Sequence, residues 1–485
     1  MKKIITNFIE FYKSITVQAK AAIWFTVSNI ILQGLSVICT PLFTRMMTTE
    51  EYGTVTLFLS WESFLIIFAT LNFSSSCFNV GMVRFEEERD QVSSSLLSLS
   101  ACCTVLFCII YFIFREPLNN LFGLSQSIVN LLLVYFFFQP AFLFWSARQR
   151  FEYRYKKLVL ITIFVAFSQQ MLAVITVYLS AEHKDLARIF SMTGISIAAG
   201  VFCFLHILNK GRVFYSRKYW SFALKYNLPL LPHFISRQVL GQIDRVMIGD
   251  ICGKSDVALY GVAYNAGMMI QIIYNAITMS YHPWNYQNIK KKKYDDIAKV
   301  TNLILLLFVG ISVLLILAAP ELMAFFAPSQ YQEAIYVIPP VVTSVFFQIL
   351  YTFFGNVEQY FMKTKFMSLA SVAAALLNLG LNYVFIPRFG YIAGAYTTLV
   401  CYMAYAIGHY ICMKRISKKY MEGAEIYDKH FIGVLSVIMV AFSILINMVY
   451  TFFVIRLIVM IVICLVVFIK RREIINLFGM IRKRE

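Results

Sequence analysis

The chain has 485 residues, 60% of them hydrophobic and only 14% charged, with a formal net charge of +18. A soluble domain carries nearer a quarter charged residues, so the composition excludes an ordinary soluble enzyme. The positive charge is dealt out between apolar runs rather than gathered on one segment, which argues against a nucleic-acid binder.

Ahead of the first apolar run, Ile5, Phe8, Ile9 and Tyr12 recur at helical spacing among lysines, which predicts an arm lying on a membrane surface. No cleavable signal peptide is visible. A bilayer core of about 30 Å needs about 20 helical residues to cross it. Fourteen runs fit: 22–43, 54–76, 92–114, 127–146, 158–179, 188–208, 227–249, 257–279, 299–319, 335–357, 366–386, 391–412, 431–448 and 453–469. They are continuous rather than alternating, which predicts helices and not a barrel.

The first run holds Asn29 and Gln33, one turn apart, and ends near Arg45; the pair faces a cavity or glues helices together. The second holds Trp61, able to stack on a sugar or to pack, beside Glu62. The seventh reads LPLLPHFISRQVLGQIDRVMIG, Leu228 to Gly249. At about 100° per residue, His233, Arg237 and Asp244 share one face, with Arg237 and Asp244 about 10 Å apart along the axis. A central Arg or Asp facing lipid costs about 2.5–3.5 kcal/mol, so that face is expected to border a gap between helices. Arg237 suits a pyrophosphate, which a guanidinium grips with forked, charge-assisted bonds. The alternative is a packed ion pair, for example with Glu62. His233, on the same face, contacts the same ligand or packs. Asp244 and Glu62 titrate or bind a cation. Arg45 and Arg245, at matching places near the ends of the first and seventh runs, join the candidate substrate contacts or else snorkel or pair with an acid, and Arg456 in the last run is expected to snorkel.

Lysine and arginine sort by loop. The amino-terminal arm and every second loop hold 34, the opposite loops six (Arg45, Arg115, Lys184, Arg188, Lys254 and Arg388), and three lie inside runs. That bias predicts both termini in the cytoplasm and an even number of spans, with the basic loops touching anionic headgroups. The loops are too short for a soluble catalytic domain. Most of the ten cysteines fall inside runs, without the spacing of a disulfide framework or a metal site. No GxxxxGK[ST] loop is present, so ATP is not the expected driver.

The chain reads as duplicated. RMMTTEEYG, from Arg45, matches RVMIGDICGKSDVALYG, from Arg245: an arginine, an acidic turn, then Tyr-Gly opening the next run. RQRFEYRYKKL, from Arg148, and EQYFMKTKFM, from Glu358, stand before the fifth and eleventh runs. Two parallel six-helix halves, 1–215 and 216–420, followed by two further helices and a basic tail in 421–485, are the predicted domains. Such repeats place a cavity between them near the midplane.

Several of these segments resemble a known family. Pro41 with LFTRMMTTEEYG, NLPLLP…DRVMIG between Asn227 and Gly249, and PRFGYIAGA from Pro387 to Ala395 are similar to the signatures of bacterial polysaccharide and oligosaccharide-lipid flippases of the O-antigen type. These belong to the multidrug, oligosaccharidyl-lipid and polysaccharide exporter (MOP) superfamily. The likeness covers roughly residues 1–420; SAEHKDLARIF after the fifth run departs from the Pro-x-x-Gly pattern. It implies an all-α polytopic protein of about fourteen spans, two six-helix lobes in a V plus two C-terminal helices, working by alternating access. The implied substrate is an undecaprenyl-diphosphate-linked oligosaccharide moved from the inner to the outer leaflet of the bacterial cytoplasmic membrane. The process served is lipopolysaccharide O-antigen or other surface polysaccharide biosynthesis, with glycosyltransferases and a polymerase as partners. On that reading Arg237, His233, Asn29, Gln33, Arg45 and Arg245 contact substrate, and Asp244 and Glu62 couple a proton or sodium ion, with no other cofactor or metal. The rivals are a cation-drug antiporter of the same superfamily, which calls for an acidic cavity, a membrane-embedded polymerase or acyltransferase, which calls for a larger outer loop, and a scaffold without transport.

Overall fold

The structure is a computed structural model that describes residues 15–363 and 365–469. The expected surface arm at Ile5, Phe8, Ile9 and Tyr12 and the basic tail from Lys470 lie outside the described residues.

Among the described residues no strand occurs, and fourteen long helices follow one another. They are α1 Val17–Met46, α2 Thr49–Thr70, α3 Arg89–Ile113, α4 Gln126–Phe151, α5 Tyr155–Leu179, α6 Lys184–Gly211 and α7 Leu231–Ile251. Then come α8 Lys254–Lys290, α9 Tyr294–Leu317, α10 Ile338–Tyr360, α11 Lys365–Phe389, α12 Ile392–Tyr420, α13 Lys429–Leu445 and α14 Phe453–Ile469. Helix α8 passes through a tighter turn at Met268–Ile270. Eleven of the described helices are long and apolar enough to cross a membrane. Helix α7 is diluted by its charges, α12 by its tyrosines, threonines and basic end, and α14 is short. In hydrocarbon every backbone group must bond within the chain, and a helix does so locally. Large apolar side chains on the outer faces, such as Phe164, Phe202 and Val437, are exposed, as expected where lipid replaces water.

Local chemistry ends and starts these helices. Thr48 and Glu51 form a reciprocal capping box at α2: Glu51 N donates to Thr48 Oγ1 at 3.2 Å and Thr48 N to Glu51 Oε2 at 2.9 Å. Asp428 caps α13 through His430 N and Phe431 N. Gly390, at φ +68, makes the tight turn from α11 to α12 that PRFGYIAGA predicts.

The chain divides into two compact units, one ending at Gln238 and the other beginning at Val239. The division falls inside α7, later than residue 215, because the short helix Arg217–Asn227 packs on α3 and on the short helix Ser76–Arg84. Trp220 Nε1 donates to Ser95 O at 3.0 Å, and Asn227 Nδ2 donates to Leu71 O. The core of the first unit gathers Phe78, Leu96, Phe144, Trp145 and Tyr219 around these contacts. Ser93, Ser94 and Ser98 of α3 are buried; Ser93 and Ser98 bond back into their own helix, and Ser94 Oγ donates to Val213 O at 2.8 Å. Small residues of this kind let helix backbones approach closely.

Helix α6 also pins the α1–α2 turn. Lys184 N donates to Glu51 Oε1 at 3.1 Å, and its Nζ to Met46 O at 2.8 Å. The buried Arg188 guanidinium lies 3.8 Å from the Phe43 ring, a cation–π contact. In the second unit α10 is the central helix, with α8, α9, α12 and α13 around it.

Arg456 does not snorkel. It is buried and grips Glu321 with both guanidinium branches, NH1 to Oε2 at 2.7 Å and NH2 to Oε1 at 2.8 Å, while NH1 also donates to Leu317 O at 2.7 Å. A guanidinium fork meets a carboxylate and a helix-end carbonyl at once, a geometry better than exposure to headgroups.

Candidate functional site

Each unit carries a polar cluster that an apolar membrane interior would not hold without reason. In the first, helices α2, α4, α5 and α6 enclose a pocket of about 260 Å³. Glu62 enters it from α2, Tyr135 and Gln139 from α4, Gln169 from α5, and Thr193 and Ser196 from α6. Gln169 Nε2 donates to Ser196 Oγ at 2.5 Å, which fixes one amide. The pocket holds one carboxylate among neutral hydrogen-bonding groups, so it can take a proton, a small cation or a hydroxylated ligand.

In the second unit the cluster is built on Asp244. Its Oδ2 accepts from Tyr260 OH at 3.0 Å and from Thr398 Oγ1 at 2.6 Å, and its Oδ1 accepts from Asn382 Nδ2 at 2.6 Å. Thr397 Oγ1 donates to Asn382 Oδ1, and Asn378 Nδ2 to Thr398 Oγ1 at 3.3 Å. All of these side chains are buried, and together they tie α7 to α8, α11 and α12. Gly394 makes room: a Cβ there would stand 3.6 Å from Asp244 Cβ and 3.3 Å from Ile248 Cδ1. Desolvating a carboxylate costs several kcal/mol, and only dense hydrogen bonding offsets it. Three donors meet that need and leave Thr and Asn oxygens beside the carboxylate, a donor set that hard monovalent cations and protons can use.

The remaining candidates divide by exposure. Arg237 is exposed and, among the described residues, makes no hydrogen bond or ion pair. The packed partnership with Glu62 therefore does not form. Although Arg237 and Asp244 share a helix, the first is open and the second enclosed. His233 is half-buried, with Nδ1 lacking a partner among the described residues. Asn29 is exposed and Gln33 partly so, on a helix whose main neighbour is α5. Arg45 is exposed and folds back to Pro41 O at 3.0 Å. Arg245 is buried, donates to Gly241 O and Gln242 Oε1, and lies 4.4 Å from the Tyr264 ring; its guanidinium is occupied by packing. Trp61 is buried against Phe122, with ring centroids 4.7 Å apart, so its face is not offered to a sugar.

Sequence reasoning missed the partners. Asn378 and Asn382 stand one turn apart in LNLGLNYVF, and Thr397 and Thr398 are adjacent in α12. Polar residues so spaced inside apolar runs were the available signal for the Asp244 cluster.

An all-α chain of repeated spans with a buried polar cluster in each unit defines a polytopic membrane protein. Three solved structures share its fold. The Lipid II flippase MurJ in its inward closed conformation has a TM-score of 0.70 at 15% identity, covering 93% of this chain and all of that one. An inward-facing multidrug resistance MATE family transporter of the MOP superfamily has a TM-score of 0.58 at 15% identity over 81% of this chain and 96% of that one. A MOP superfamily transporter from Pyrococcus furiosus has 0.54 at 16% identity over 82% of this chain and 96% of that one. The sequence profile of polysaccharide biosynthesis proteins matches residues 19–288, more than half of the chain, and the chain belongs to that family. The MatE profile also matches residues 229–384. A protein of the Lsg locus of Haemophilus influenzae is 26% identical over 170 residues, which span 34% of this chain and 42% of that protein, less than half its length.

Proposed function

We propose that the chain is a flippase for an undecaprenyl-diphosphate-linked oligosaccharide, moving it from the inner to the outer leaflet by alternating access. The cell would use it in surface polysaccharide synthesis, upstream of a polymerase and downstream of glycosyltransferases. Membership of the polysaccharide biosynthesis family supports the substrate class. The observation that carries the reading at residue level is Arg237, a cation on a span with no counter-ion among the described residues. An arginine kept unpaired in that setting is costly unless an anion visits it, and a diphosphate is an anion of matching fork geometry. His233, one turn away, offers a second donor. The polyprenyl tail stays in lipid while the headgroup crosses. Outward movement of each negative charge from a negative cytoplasm gains about 2.3 kcal/mol per 100 mV.

Asp244 and Glu62 are the residues for a coupling proton or sodium ion. The second reading is a cation-drug antiporter, favoured by the MatE match and by the single carboxylate in the first unit's pocket. The two separate in one experiment: translocation of lipid-linked glycan in vesicles by the wild type, Arg237→Ala and Arg237→Lys. The flippase reading expects a loss of tenfold or more in the alanine variant, with partial activity in the lysine variant. Unimpaired transport in both removes Arg237 from the mechanism. Efflux of a cationic dye without glycan movement favours the antiporter.

A further inference from the structure

Glu358 and His409 belong to neither polar cluster. Glu358 stands two residues before the end of α10, and His409 lies on α12, the helix packed most extensively against it. His409 Nδ1 and Glu358 Oε1 are 2.7 Å apart, and both side chains are wholly buried. The outer atoms of the pair, Glu358 Oε2 and His409 Nε2, are buried too and have no hydrogen-bond partner among the described residues. Gly355, nearly one turn before Glu358, lies against the ring, where a Cβ would stand in ordinary contact with His409 Nδ1 at 3.9 Å. Three aromatic rings surround the imidazole, Tyr405 at 4.6 Å and Tyr351 and Phe366 each at 5.7 Å between centroids.

Among the described residues no cation bonds to the pair. On α12 the facing groups are Tyr405, whose hydroxyl meets Ser371 Oγ at 2.9 Å, and Cys412, one turn past His409, whose thiol lies near enough to Glu358 to interact with its carboxyl, with Arg415 beyond it. On α10 it is Tyr351. From α8 come His282, edge-on to Tyr286, and Tyr286 itself, which donates to Gln359 Oε1 at 3.1 Å. From α13 Lys429 is paired with Glu425 at 2.6 Å. Helix α11 brings Phe366, with Lys365 before it in the sequence.

One hydrogen must lie between Nδ1 and Oε1 for the contact to hold. With that hydrogen alone the pair carries a net charge of −1 in a setting that penalises it. A second proton, on Nε2 or Oε2, makes it neutral. We propose that Glu358 and His409 form a proton-binding site in the second unit, distinct from Asp244 and Glu62. It takes up one proton from water. Its place in a transport cycle rests on the flippase reading; the binding of the proton does not.

The test uses the full-length protein in lipid, without substrate. Infrared difference spectra are recorded across a pH series for the wild type, Glu358→Gln, Glu358→Asp and His409→Gln, with melting temperature followed in parallel. The expected result is a carboxyl signal and an imidazole signal that titrate together in the wild type. Both are lost as a coupled pair in Glu358→Gln and His409→Gln, and both are shifted in Glu358→Asp, which keeps the charge and so guards against an unfolded glutamine variant. A wild type with no coupled signal, or a coupled signal that survives both neutral variants, overturns the proposal. In the same vesicles, glycan translocation should lose its pH dependence in Glu358→Gln. No glycan movement by the wild type at any pH would instead count against the flippase reading, while the spectra still decide the proton site.

Discussion

Arg237 and Asp244 are two turns apart on one helix and live in opposite settings. The arginine is open and unpaired among the described residues, while the aspartate is enclosed by Tyr260, Asn382 and Thr398. Both were visible in the sequence as charges in an apolar run. Their separation was not, because Asp244 reaches Asn382 across 138 residues, and no local periodicity records such a contact. Arg456 misled for the same reason: its partner Glu321 lies 135 residues earlier. Two predictions belong at this scale. Asp244→Ala strands three buried donors and should lower stability by about 3 kcal/mol, whereas Asp244→Asn, close in shape, should melt much nearer the wild type; detergent melts compare them. For Glu321, outside the spans, the Arg456 guanidinium holds the carboxyl below the usual carboxylate range. A depressed value in the fold means stabilisation that is present above the ordinary carboxylate range and lost as pH falls through the depressed one. The melting temperature should therefore drop on acidification below about pH 4 with a component that Arg456→Gln removes. Equal acid sensitivity in both proteins would refute it.

At the scale of helices, the spans were legible because each must satisfy its own backbone out of water, a demand written as length and apolarity. The closeness of helices was not legible, since a glycine reads alike whether it faces lipid or a neighbour. Helix α6 supplies both cases. A Cβ at Gly200 would lie 2.6 Å from Phe138 O on α4, while one at Gly194 meets nothing within 4 Å. Gly200→Ala should cost about 1–3 kcal/mol by forcing α4 and α6 apart. Gly194→Ala should be neutral or mildly stabilising through helix propensity. Matching melts for the two variants would show that α4 and α6 are not in backbone contact.

For the whole molecule, the orientation expected from 34 lysines and arginines against six can be read chemically. In a background without the ten native cysteines, Glu182→Cys between α5 and α6 should react with an impermeant maleimide on intact cells. Lys292→Cys between α8 and α9 should react only after permeabilisation. Both residues are exposed on short turns, so the reverse pattern would invert the topology.

The fork that Arg456 makes with Glu321 and Leu317 O bears on how the last two helices joined the rest. Shorten the chain before α13 and Glu321 keeps its negative charge with no guanidinium to answer it, at the edge of a bilayer. Glu321 is exposed enough for water to answer it, whereas Arg456 is buried, so a chain that keeps the hairpin has to keep an acid within its reach. The terminal hairpin is stitched in by a charge, and the stitch binds the arginine more strictly than the glutamate.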